Sequence, residues 1–151
     1  MNTSIIRTRY ADALVKYVQE TGNGASVCLQ AERLARVIED VPDLSRMVSA
    51  RDVVSDAEKM RLLRSALGEP MTPELDRFIR LLMENGRIGL LPLILKDFVT
   101  SYQRSCGVRK AHLKVAVPPT EKLLERLKAL VREQTGCEAL IDVEVDPSLI
   151  G

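Results

Sequence analysis

Tryptophan is absent from the 151 residues, and there are only 3 Tyr and 2 Phe. So few rings leave no stacking platform for single-stranded nucleic acid. No charge of one sign prevails either. The 22 Lys+Arg stand against 21 Asp+Glu, a net charge of +1 that holds no polyanion by counterion release. Nucleic acid is not an expected partner. His112 is the single histidine, which excludes His-based metal clusters and leaves any triad to one imidazole inside a strand. An ordinary strand position is the simpler reading. Cys28, Cys106 and Cys137 are odd in number and widely spaced, which fits neither a disulfide framework nor paired metal ligands and points to a reducing compartment. No apolar run reaches the roughly 18 residues of a membrane span. The N-terminus MNTSIIRTRYADALVKYV has charges at helical spacing and no apolar h-region, so it reads as part of the fold rather than as a signal peptide. Any work at a membrane requires another subunit to hold the chain there.

What is present is 46% apolar and 28% charged residues, with Leu and Val carrying the core. Ile5, Ile6, Tyr10, Ala13, Leu14, Tyr17 and Val18 recur at helical spacing, and Gly22-Asn23-Gly24 ends that first helix. A second helix is expected over 26–40, stopped by Pro42, and a short third piece over 44–50. Ser55 and Glu58 form a capping box that opens a fourth helix, closed at Gly68. Thr72-Pro73 opens a fifth, with Leu75, Phe78, Ile79, Leu81, Leu82 and Met83, ending at Asn85-Gly86. A sixth is expected over 87–105, with Pro92 near its start. Short connections make neighbours antiparallel, so the first part reads as a six-helix bundle.

The period then changes to two over 111–117, a half-buried strand stopped by Pro118-Pro119. Thr120 can cap an amphipathic helix that ends at Gly136. A second alternating strand carries Ala139, Ile141, Val143 and Val145 on one face and Asp142 and Glu144 on the other. The class is mainly α, α+β overall: a bundle over 1–106 and a small β-α-β portion over 107–151. Two strands alone make no stable sheet, so this second portion is expected to be incomplete.

No constellation of an active site is present. Acidic residues pair with basic ones at helical spacing, as in Glu58 with Arg61, the pattern of a solvated helix face. Gly86-Arg87-Ile88-Gly89 follows no strand and precedes no Lys-Ser pair, so it reads as a corner between helices rather than a phosphate cradle. No cofactor, metal or small-molecule substrate is expected. What stands out is the width of two apolar faces. At roughly 100° per residue, the first and fifth helices each spread apolar side chains over about 200°, broken in the first only by Arg7. Two readings follow. Either both helices lie at the centre of the bundle, or they share a groove that accepts a partner's amphipathic helix.

Arg9-Tyr10-Ala11-Asp12-Ala13-Leu14, Phe78-Ile79-Arg80-Leu81-Leu82-Met83-Glu84-Asn85-Gly86-Arg87 and Asp146-Pro147-Ser148-Leu149-Ile150-Gly151 resemble the signatures of the delta subunit of bacterial F-type ATP synthases, the oligomycin-sensitivity-conferring protein family. The resemblance covers the chain in order. It implies a non-catalytic stator connector on the cytoplasmic side of the bacterial inner membrane, peripheral and attached only through the complex. It implies that the bundle binds N-terminal segments of the alpha subunits through helices one and five. By position that role falls on Ile6, Tyr10, Ala13, Leu14, Tyr17, Leu75, Phe78, Ile79 and Leu82. It also implies that the second portion meets the b subunit of the peripheral stalk. Family members usually continue beyond Leu-Ile-Gly, so an early end is expected here. The alternative is an unrelated helical adaptor that uses the same groove for a regulatory partner.

Overall fold

Asn2 begins the first helix with its side chain, which accepts a hydrogen bond from the Ser4 N–H at 3.0 Å and so satisfies one of the donors a helix start leaves over. The computed structural model describes residues 2–135 and 138–149. Helix α1 runs Thr3–Thr21, α2 Gly24–Asp40, α3 Pro42–Ser49, α4 Asp56–Leu67, α5 Pro73–Glu84 and α6 Leu91–Ser105; strand β1 runs Val108–Val115, helix α7 Glu121–Thr135 and strand β2 Glu138–Val145. The chain is mainly α and divides into two compact units, Met1–Tyr102 and Gln103–Gly151.

Local chemistry sets these boundaries. Ser55 Oγ accepts from the Glu58 N–H at 3.2 Å, the serine half of the capping box read from the sequence. Thr72 stands at the N-cap of α5, but its hydroxyl is buried without a partner. The loop is held from elsewhere. Gln30, buried on α2, accepts from the Thr72 N–H at 2.9 Å and donates to the Pro70 carbonyl at 2.9 Å. The expected sixth helix over 87–105 begins instead as a 3-10 turn, Ile88–Leu90, with α6 starting at Leu91. Pro92 explains the shift: it lacks an N–H and its ring clashes with the carbonyl four residues back, so a regular α-helix cannot run into it from Ile88.

In the first unit, Leu14 and Val18 of α1, Leu34 and Ile38 of α2, Leu63 of α4, Leu75, Ile79 and Leu82 of α5, and Leu91, Ile94, Leu95 and Phe98 of α6 fill one core. Each such side chain contributes roughly 1.5–3 kcal/mol relative to its exposed state. Arg7, which interrupts the apolar arc of α1, makes a two-pronged contact with Asp97 of α6 at 3.0 and 2.9 Å. At the start of α2, a Cβ on Gly24 would lie 2.4 Å from the Tyr102 ring, so any larger residue there requires the Tyr102 side chain to shift.

In the second unit, β1 and β2 pair in parallel from Val108↔Glu138 to Val115↔Val145. The strand expected to reach Val117 therefore ends at Val115, where its partner ends and the Asp146 N–H bonds the Val115 carbonyl at 2.7 Å. Thr120 Oγ1 accepts from the Leu123 N–H at 3.2 Å and starts α7. The expected helix stop at Gly136, the thiol of Cys137 and the final Ile150-Gly151 lie outside the described residues.

Candidate functional site

A helix with an apolar arc wider than one core needs must bury the excess elsewhere or leave it bare. In α1 the core takes Ile6, Ala11, Leu14, Val15 and Val18, which leaves Ala13 exposed and Tyr10 and Tyr17 half-buried. In α5 the core takes Leu75, Phe78, Ile79 and Leu82, which leaves Leu81 at 42% exposure. These residual faces adjoin. Between them runs an open groove of about 480 Å³ lined by Ala13, Leu14, Tyr17, Phe78 and Leu81, with Arg77, Arg80 and Glu84 on its rim.

Of the nine residues to which the family resemblance gave a partner-binding role, Ala13, Leu14, Tyr17 and Phe78 line this groove. Tyr10 stands beside it, edge-on to Phe78 with ring centroids 6.3 Å apart, and its hydroxyl accepts from Asn85 Nδ2 at 2.9 Å. Leu75, Ile79 and Leu82 have no exposed surface and point into the core. Ile6 is buried at the other end of α1 and lines a different recess. Leu81, Arg77, Arg80 and Glu84 were missed. Leu81 was legible as part of the wide arc, whereas the charged residues carry the ordinary signature of a solvated helix face.

The groove is held in place by polar contacts at its edge. Arg77 Nη1 donates to the Tyr17 hydroxyl at 3.2 Å and ties α5 to α1. Arg80 Nε donates to Asp76 Oδ2 at 2.8 Å, and Arg64 of α4 reaches the other carboxylate oxygen. Burial pushes the Asp76 carboxyl up, but hydrogen bonds from Arg64 and Arg80 outweigh it and hold its pKa below the usual carboxylate range. Asp76 therefore stays ionised and keeps Arg80 alongside the groove. Nothing in this arrangement brings a nucleophile to a base. It offers a preorganised apolar slot with a charged rim, which suits an amphipathic helix.

The remaining titratable cluster lies on the sheet of the second unit. His112 of β1 has Nε2 2.9 Å from Glu144 and Nδ1 3.2 Å from Asp142, both on β2. Only an imidazolium donates from both nitrogens, so hydrogen bonding to Glu144 first and Asp142 second raises its pKa above the usual 6.5. No group of three or more His, Cys, Asp or Glu among the described residues is placed to hold a metal ion. Cys28 is buried and Cys106 exposed.

A family model described as ATP synthase delta (OSCP) subunit matches residues 6–151. ATP synthase subunit delta of Citrifermentans bemidjiense is 32% identical over 153 residues, covering 100% of this chain and 84% of that protein. ATP synthase subunit delta of Synechococcus sp. (strain CC9311) is 31% identical over 147 residues, covering 97% and 80%. Among solved structures, a chain of the Toxoplasma gondii mitochondrial ATP synthase hexamer has the same fold, with a TM-score of 0.71 at 20% identity over 94% of this chain and 79% of that one.

Proposed function

The chain belongs to the ATP synthase delta (OSCP) subunit family, and from that premise we propose that it is a non-catalytic stator connector of a rotary ATP synthase. A rotating central stalk drives nucleotide chemistry only if the catalytic head is held still. The connector binds two partners and carries torque between them without turning over a substrate. In this reading the six-helix bundle of residues 1–106 grips the N-terminal helix of an alpha subunit, and residues 107–151 engage the b subunit of the peripheral stalk. The protein is peripheral, on the cytoplasmic face of the bacterial inner membrane and held there by the complex. No helix among the described residues is long and apolar enough to cross a membrane, which suits attachment through other subunits.

The observation that carries the reading is the groove between α1 and α5. Apolar burial suits a mechanical joint because it grows with the area covered and is little weakened by salt. The test is binding of a peptide from the start of the alpha subunit to the whole chain, measured by calorimetry. Ala13→Asp and Leu81→Asp alter exposed positions, so the helical circular dichroism is expected to persist. Each places an unpaired charge in the slot and is expected to weaken binding by about 2 kcal/mol or more, roughly thirtyfold. No binding by the intact chain, or full binding by both variants, refutes the proposal.

A further inference from the structure

A second recess opens at the other end of α1, between the α3–α4 loop and the corner that joins α5 to α6, with a volume of about 1280 Å³. Its walls carry the cations Arg51, Lys59 and Arg87. Lys59 is only 5% exposed, yet its ammonium makes no ion pair or side-chain hydrogen bond among the described residues. A lysine this deeply set is ordinarily paired. Its four-carbon stem is packed into the first unit, and the residue lines the recess. Arg51 and Arg87 are exposed and likewise form no ion pair among the described residues.

We propose that this recess binds an oxyanion, a carboxylate or phosphate group seated on the Lys59 ammonium with Arg51 and Arg87 as outer cations. Two carboxylates, Asp52 and Asp56, also line the recess, and neither pairs with Lys59. Both are exposed, so water and salt screen their repulsion of an incoming anion, whereas the attraction of the sheltered ammonium is screened less. Asp56 also lies in the first turn of α4, where its charge is set against the positive end of that helix. With most of the Lys59 stem already packed, less side-chain motion remains to be lost when an anion binds. The site is separate from the α1–α5 groove and does not depend on its role.

The experiment is ¹⁵N NMR of the whole chain titrated with inorganic phosphate and, separately, with acetate, against sodium chloride at matched ionic strength. Saturable shifts confined to the amides of residues 51–59 and 85–90 are expected. Saturation by phosphate alone identifies a doubly charged group as the ligand, and saturation by both shows that one carboxylate suffices; either supports the site. Lys59→Met keeps an apolar stem and removes the charge, and is expected to weaken binding about tenfold or more. Arg87→Gln is expected to weaken it about threefold, as an exposed contact does. Should Lys59→Met lose its helical signal, Lys59→Gln carries the same expectation. Shifts that track chloride without saturating, or affinity unchanged on neutralising Lys59, overturn the proposal.

Discussion

Gln30 does at one position what a cap and a turn usually share. Its amide oxygen takes the Thr72 N–H and its amide nitrogen reaches both the Pro70 carbonyl and Glu69 Oε1, so one buried side chain holds the whole α4–α5 loop. Gln30→Ala removes the partner of a part-buried N–H and of a carbonyl. Stability measured by urea unfolding is expected to fall by about 1–3 kcal/mol; an unchanged midpoint refutes this account of the loop. No sequence pattern announces the contact, because 42 residues separate Gln30 from Thr72. Ser55 with Glu58 was legible for the opposite reason, since both partners lie in one turn. The burial of Lys59 was hidden in the same way as Gln30. On a helical wheel it is one more charged residue of α4, and only the neighbouring loop and corner enclose it.

Among the elements, spacing showed how wide each apolar face is and left open which way it points. The arcs of α1 and α5 marked the two helices that border the groove, but Leu75, Ile79 and Leu82 turn inward while Leu81 and Ala13 turn out. That choice depends on where α2 and α6 lie, which the period of a single helix does not record. The strand pair shows the same limit. Alternation placed Asp142 and Glu144 on one face, but only the parallel register sets His112 against both. Their pairing gives the sheet a pH dependence with a definite sign. Because the folded pKa of His112 is raised, the stabilisation is fully present below about pH 6.5 and is lost as pH rises through the folded value. NMR titration of the imidazole is expected to give a pKa above 6.5 in the wild type and a lower one in Glu144→Gln. A wild-type value at or below 6.5 refutes the contact.

At the scale of the whole molecule, the two units differ in how much each encloses. The first has a continuous core drawn from six helices, with Phe98, Leu34, Ile79 and Leu95 free of solvent contact. In the second, Ala139 is the one buried hydrophobic residue among 103–107, 112–134 and 139–149; no residue of 121–134 in α7 is buried, and Leu123, Leu130, Leu140 and Val145 are all exposed. Apolar burial is the main term opposing chain entropy, so the units are expected to differ in stability rather than melt together. A two-stranded sheet with one helix is marginal by itself. Native-state hydrogen exchange is therefore expected to show amides of β1, β2 and α7 exchanging at least about a hundredfold faster than those of α2 and α6, through openings that leave the first unit intact. Uniform protection along the chain, with one cooperative transition in urea, contradicts this. In the proposed stator role, a load would have to pass through both units, so the weaker one would limit the joint until a partner covers its apolar faces. Adding a b-subunit segment is then expected to slow exchange in β1, β2 and α7 while leaving α2 and α6 unchanged, because a ligand stabilises the unit it binds by mass action.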